Sequence, residues 1–289
     1  MELIEPISFE SAITKFVSDL RSQKRSSATI TAYTGDLTQA QKYLADKKIT
    51  QATTVQTLHL QEFLDHLSTK GYSAKSVSRK INSLKTFFKF LKIRDLNTFD
   101  PARDLVHPKY DSAKPRVLST GEYKSIRESA RLDIRMSAII EILLQTGIRI
   151  SELANIRLED VTKNELIVLP LENNPRRVVP LHKCVMSSIQ NFLSIRPQTA
   201  DNHLFVTKTG KPLLIRNIRT SLDRYFQLAG VKSAKVNDLR NTFLAHQLAA
   251  GLDPEYLSKI VGHKRLTSTY KYLEGAPLST STSTKLIEL

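Results

Sequence analysis

Cysteine occurs once in the 289 residues, at Cys184, so no internal disulfide framework can form and a reducing cytoplasm is expected. Long apolar runs are also missing. The best candidate, Ala138 to Leu144, is interrupted by Glu141 and falls far short of the ~20 residues a membrane-spanning helix needs. The N-terminus carries acidic Glu2 and Glu5 and lacks the apolar segment of a secretory signal. No long repeat is present, and low complexity is confined to the Ser279–Thr284 run, which is expected to be flexible. Acidic residues are few for the number of basic ones. Lys+Arg total 43 against 28 Asp+Glu, a net charge of +15 and a pI near 9.8. Residues 1–110 hold 17 basic and 11 acidic side chains and the remainder 26 and 17, so both halves are basic. That balance points to a polyanionic partner engaged by the whole chain rather than by a tail.

At ~100–200 residues per domain, the length suggests two domains. Residues 1–108 carry helical apolar stripes and almost no strand signal. Ile13, Phe16, Val17 and Leu20 form one stripe, and Ile30, Tyr33, Leu37, Ala40 and Leu44 a second. Leu60, Phe63, Leu64 and Leu67 form a third, closed by Gly71; Val77, Ile81, Leu84, Phe87, Phe88 and Leu91 form a fourth. This spacing makes the aromatics core residues rather than base-stacking platforms. Residues 109–117 read as a linker, because the stretch from His107 to Arg116 has two prolines, three cations and no periodicity. Residues 118–289 open on a capping box, Ser119 with Glu122. A buried helix through Ile139, Ile140, Leu143 and Leu144 stops near Gly147. Two strand-like runs, 165–169 and 177–181, flank the turn residues 172–175, which predicts a hairpin. Helices follow at about 183–195, 215–228, 237–250 and 254–261, the last with Asp253 as N-cap, Pro254 at its first position and Gly262 as its stop. The expected fold class is mainly α with a small β-sheet: a helical N-terminal domain and a mixed α/β second domain.

The second half holds a constellation of basic and hydroxyl-bearing side chains. Its parts are Thr146-Gly147-Ile148-Arg149-Ile150-Ser151-Glu152-Leu153, then Asn237-Asp238-Leu239-Arg240, then Gly262-His263, then Tyr272. Arginine forks can hold both non-bridging oxygens of a phosphate and neutralise the charge that grows in a five-coordinate transition state. A tyrosine hydroxyl can attack phosphorus and store the broken bond as a phosphotyrosine, so neither nucleotide nor metal is needed and no cofactor is expected.

In their order and spacing, with Tyr272 nine residues after His263, these segments resemble the tyrosine recombinase (phage integrase) family over most of the chain. The resemblance implies a SAM-like, core-binding domain followed by a catalytic domain. It implies Arg149 and Arg240 as phosphate clamps, His263 as a third phosphate-binding group and Tyr272 as nucleophile, with Tyr270 two residues short of the family position. It also implies Glu152 as the acid that holds Arg149 in one orientation, and an arginine-rich pocket that favours the Tyr272 phenolate. Two departures stand out. Asn237 occupies the family's His position, as a phosphate contact or as a plain helix N-cap, and Asn241 the place where a second His often follows. The family's hairpin lysine, which protonates the departing 5′ oxygen, falls at Glu172 or Asn173, and no lysine lies between Asn164 and His182. Lys163, Lys208 and Lys211 are the candidate substitutes.

The same resemblance implies double-stranded DNA as partner, contacted by Lys75, Arg79, Lys80, Lys85 and Lys89 on the fourth helix and by Arg176 and Arg177 beside the hairpin turn. It implies a dimer on a core site and a tetramer in the synapse, joined through an exchange tail, residues 276–289, whose Leu286, Ile287 and Leu289 dock on a neighbouring catalytic domain. A chain opening on the core-binding domain suits a Xer-type or transposon-encoded enzyme of the bacterial nucleoid, with no membrane association. Two other readings share these parts: a DNA-binding accessory protein with weakened chemistry, and a type IB topoisomerase-like enzyme.

Overall fold

The computed structural model describes residues 5–111, 114–171, 174–273, 283 and 285–289. The chain divides into two compact units, Met1–Ser112 and Ala113–Leu289. Among the described residues, no helix is long and apolar enough to cross a membrane.

The first unit is built from α1 (Phe9–Ser22), α2 (Ser27–Asp46), α3 (Thr57–Thr69) and α4 (Ala74–Ile93). Ser8, Ser26 and Ser73 start α1, α2 and α4 by accepting hydrogen bonds from the backbone N–H groups of Ser11, Thr29 and Ser76. Each thereby satisfies a donor that the helix cannot. The four apolar stripes meet in one core, where Phe9 stacks on Phe87 at 5.3 Å between ring centroids and Phe87 meets Phe88 edge-on at 5.1 Å. The aromatics are therefore packing groups, as their spacing predicts.

One polar cluster interrupts this core. The buried Asp36 carboxylate accepts from Lys80 Nζ at 2.8 Å, from Ser83 Oγ at 2.8 Å and from the Arg79 guanidinium. Lys80 also donates to Gln39 Oε1 at 2.5 Å, and its side chain is only 6% exposed. Lys80 is therefore not available to DNA as expected: a buried carboxylate needs a cation beside it, and Lys80 is that cation. Its position already carried the signal, three residues after Val77 and four before Leu84, inside the apolar stripe. Lys75, Arg79 and Lys89 are exposed and Lys85 is half-buried.

The second unit comprises α5 (Thr120–Ser129), α6 (Ile134–Thr146), α7 (Ile150–Ala154), β1 (Glu165–Val168), β2 (Arg177–Pro180), α8 (Lys183–Ile195), α9 (Ile215–Leu228), α10 (Val236–Ala249), α11 (Pro254–Val261) and α12 (Thr267–Tyr270). The capping box forms as read: Glu122 Oε2 accepts the Ser119 N–H at 2.8 Å. Helix α6 is buried along most of its length and packs against α8 and α10. Strands β1 and β2 pair antiparallel, Glu165 opposite Pro180 and Val168 opposite Arg177, while Glu172 and Asn173 lie outside the described residues. Gly147 ends α6 in the left-handed conformation, φ +60°, and a Cβ there would collide with the Phe243 ring. Glycine is required twice over, by backbone and by packing.

The last residues lie on the chain's own second unit. Ser283 exchanges backbone hydrogen bonds with Gly251 and Asp253, and Leu286 is buried in the core of this unit. Two buried glutamines hold the extended end. Gln247 accepts from the Ile287 N–H at 2.9 Å and donates to its carbonyl at 2.7 Å. Gln145 does the same for Leu289, at 3.1 and 3.0 Å. Residues 276–282 and 284 of the expected exchange tail lie outside the described residues.

Candidate active site

Four segments of the second unit converge on the C-terminal end of α11. Gly262 caps that helix in the left-handed conformation, φ +68°, which leaves its last carbonyls without helical partners. Three arginines supply the donors. Arg177 Nε binds the Ile260 carbonyl at 2.6 Å, Arg240 Nη2 the Val261 carbonyl at 2.9 Å and Arg149 Nη2 the Gly262 carbonyl at 3.1 Å. The negative end of the α11 dipole adds to the attraction. Arg240 also donates through Nη1 to the carbonyl of Gly147, tying α10 to the end of α6.

Glu152 binds two of these arginines at once. Its Oε1 accepts from Arg149 Nη1 at 3.1 Å and Arg177 Nη1 at 2.9 Å, and its Oε2 from the Arg149 backbone N–H at 2.8 Å and Arg177 Nη2 at 2.7 Å. Burial pushes the Glu152 carboxyl up, but the Arg177 hydrogen bonds and the Arg149 N–H outweigh it and hold the group below its usual range. One carboxylate thus faces three guanidiniums, leaving an excess of positive charge for an anion to fill. Burial first, and the Arg149 charge second, pull Arg240 down to about 9, so it remains a cation at neutral pH. Burial and the same three arginines pull His263 down to about 4, which leaves its imidazole neutral. His263 Nδ1 is hydrogen-bonded to Thr269 Oγ1 at 2.8 Å.

Tyr272 reaches α10 beside Arg240, and Tyr270 is 45% exposed. The Tyr272 hydroxyl donates to Asn241 Oδ1 at 2.8 Å, and Asn237 Nδ2 donates to the same oxygen at 3.0 Å. Asn241 Nδ2 donates to the carbonyl of Arg116 at 3.0 Å, an acceptor that dictates which way the amide faces. Burial raises the Tyr272 phenol above its ordinary value, and Arg240 offsets this only in part. The expected phenolate is therefore not the resting form. An amide oxygen can accept the phenol's hydrogen bond but cannot take its proton.

Arg149 and Arg240, with Asn237, border a cleft of about 500 Å³ whose walls also include Arg219, Asp223 and Lys235. These last three carry no signal in the sequence, where they read as ordinary polar positions in or beside helices. Lys235, not Asn237, is the N-cap residue of α10, and Asn237 stands in its first turn. Lys163, Lys208 and Lys211 are exposed and absent from the cleft lining. Arg176 is exposed, whereas Arg177 is buried with its donors committed to Glu152 and Ile260, so it is not the DNA contact expected. Alternation along β2 carried that signal: Arg177 shares its inward face with Val179.

The profile of the Phage integrase family matches residues 116–277, and that of the Phage integrase, N-terminal SAM-like domain matches residues 13–95. The chain is 32% identical over 268 residues to tyrosine recombinase XerC of Staphylococcus aureus (strain MRSA252), covering 89% of each. A lambda integrase dimer bound to a COC′ core site shares the fold, with a TM-score of 0.77, 16% identity and coverage of 96% of this chain and 81% of that one. So does a lambda integrase tetramer bound to a Holliday junction, at 0.72, 16%, 90% and 79%.

The His263 environment has a direct spectroscopic consequence. Its imidazole is expected to stay neutral in free protein until pH falls toward about 4. Nitrogen-15 NMR of the ring checks this, and a midpoint of about 6.5 would mean that the ring is neither buried nor crowded by the three arginines.

Proposed function

Because the chain belongs to the phage integrase family, we propose that it is a tyrosine-type site-specific DNA recombinase in which Tyr272 is the nucleophile. The observation that carries this reading is the gathering of Arg149, Arg240 and His263 at one helix end, with the Tyr272 hydroxyl hydrogen-bonded to the helix that bears Arg240. Tyr272 Oη attacks the phosphorus, the P–Oη bond forms, and the P–O5′ bond breaks to leave a 3′-phosphotyrosine. Arg149 and Arg240 hold the non-bridging oxygens as charge grows on them. His263 is the acceptor for the phenol proton. The incoming phosphate offsets the arginine charges that depress it, strengthening the base as the substrate arrives. Asn237 donates to a phosphate oxygen from the cleft wall. Glu152 keeps Arg149 oriented. Attack by a partner strand's 5′ hydroxyl reverses the step and rejoins the DNA, so bond energy is conserved without a cofactor.

The departing 5′ oxygen needs a proton. Among the described residues that line the cleft Lys235 is the one lysine, and an ammonium is a better proton donor than a guanidinium. We assign it that role in place of the family's hairpin lysine.

Double-stranded DNA is the partner. Lys75, Arg79, Lys85 and Lys89 of the first unit and Arg176 of the second are its backbone contacts, consistent with the basic charge of both halves. Assembly follows the lambda integrase complexes, as a dimer on a core site and a tetramer on the junction. The tail carries the contact: the seat made by Gln145, Gln247 and the pocket of Leu286 reads backbone and one apolar side chain, so an identical tail from a neighbour fits it equally well.

Trapping on a nicked suicide duplex tests the nucleophile: Tyr272→Phe binds the duplex like wild type but forms no covalent complex, whereas Tyr270→Phe still does. Loss in Tyr270→Phe instead reverses the assignment. Lys235→Ala slows cleavage of ordinary DNA by about 10²–10⁴-fold but spares a duplex with a 5′-bridging sulfur, whose thiolate leaves unprotonated. Equal losses on both substrates reduce Lys235 to a DNA contact. Truncation after Thr284 leaves single-site binding intact and lowers synapsis and recombination together; unchanged recombination removes the tail from assembly.

A further inference from the structure

The third arginine of the cluster has no direct part in this reaction. Arg177 does not border the cleft, and its side chain is only 6% exposed. Its guanidinium spends Nε on the Ile260 carbonyl and both terminal nitrogens on the two oxygens of Glu152. A Cβ on Gly262 would come within 3.1 Å of the guanidinium carbon, so the charged plane lies directly against the turn that leads into His263. The two Glu152 oxygens are shared evenly: each accepts once from Arg177 and once from Arg149.

We propose that Arg177 is a positioning residue for phosphodiester cleavage, holding Arg149 in place through the shared Glu152 carboxylate and fixing the α11 end from which His263 departs. This rests on the recombinase reading and deepens it. A buried Arg–Glu pair is by itself weak evidence for anything but packing, since apolar residues often replace such pairs at no loss of stability. The sharing is what distinguishes this one. With Arg177 in place, Glu152 has two bonds on one side and two on the other, and the carboxylate that receives Arg149 Nη1 can turn only if both Arg177 bonds break. Without it, the carboxylate keeps only its two bonds to Arg149 and loses the partner that fixes its orientation. Direct contact between Arg177 and the scissile phosphate would require its buried bonds to Glu152 and Ile260 to break first.

Protonation of Glu152 gives a readout that a purely structural role does not share. Arg149, Arg177 and Arg240 act on this carboxyl, and Arg157, Asp160 and His203 line the groove on its far side. Burial raises Glu152, and the Arg177 hydrogen bonds oppose that rise more strongly than any other contact. Removing Arg177 therefore moves the carboxyl upward, and acid then uncharges the group that anchors Arg149. Wild-type cleavage keeps Glu152 ionised through the mildly acidic range, whereas the variant loses rate as pH falls.

Single-turnover cleavage of the suicide duplex by the full chain, measured across pH, tests this. Arg177→Met is expected to cleave about 10²-fold more slowly at alkaline pH, the cost of a misplaced clamp. It should bind uncleaved DNA as wild type does and gain an acid limb that wild type lacks. Arg177 also depresses His263, so the double variant assigns the limb: adding Glu152→Gln to Arg177→Met removes it, because glutamine does not titrate. The double variant matches the slower single one, since both act through one link. Should Arg177→Met not fold, Arg177→Lys keeps the charge but loses the forked contact, and is expected to show the same split between rate and affinity. A wild-type rate and pH profile in either folded variant, or losses that multiply in the double variant, overturn the inference. Failure of wild type itself to trap DNA would overturn the recombinase reading instead.

Discussion

The end of α11 is where the second unit of this protein is held together and where its chemistry is prepared. Three consecutive carbonyls, left unpaired by the left-handed turn at Gly262, receive one guanidinium each from β2, α10 and the start of α7. A helix C-terminus is a natural seat for cations, and here it fixes the distances between charges that would otherwise repel. Elements distant in sequence are thereby locked to one another through these three side chains. Glu152 completes the arrangement from the other side, as a buried carboxylate that serves two of the three arginines at once.

This concentration of charge is held in a low-dielectric setting, where burial and positive charge act together on some groups and against each other on Tyr272. Burial first, and the positive field with it, lowers Arg240 and His263. The Tyr272 phenol, buried and donating to an amide oxygen, stays protonated in spite of it. On the proposed reading the resting site is electrostatically incomplete: a phosphate would satisfy the excess charge and make His263 a better base for the phenol proton in one event. Coupling activation to the arrival of DNA needs no further part. The asparagines at 237 and 241 fit this scheme, since neither can take a proton and hold it before DNA is present.

Much of this was legible in the chain. The capping box at Ser119, the α6 stop at Gly147, the hairpin and the Asp253-Pro254 start of α11 all appear where local signals place them, because caps, turns and left-handed glycines act over a few residues. Two cations depart from expectation for a common reason. Lys80 and Arg177 sit on periodic inward positions, three after Val77 and two before Val179, and long charged side chains suggest a surface. The pattern is sound and the residue type misleading, because a buried carboxylate waits for each of them, Asp36 and Glu152.

Order and spacing along the chain were sufficient to identify the family and the two-domain organisation, since each motif is short and demands specific side chains. Which donor meets which acceptor was beyond them. The sharing of Glu152 between Arg149 and Arg177, the Asn241 hold on Tyr272, the entry of Lys235 into the cleft wall and the glutamine clamps on the last residues all join segments far apart in sequence. Such pairings depend on distances of a few ångströms set by packing, and burial then decides the protonation of each group. No local rule of composition or periodicity contains either quantity.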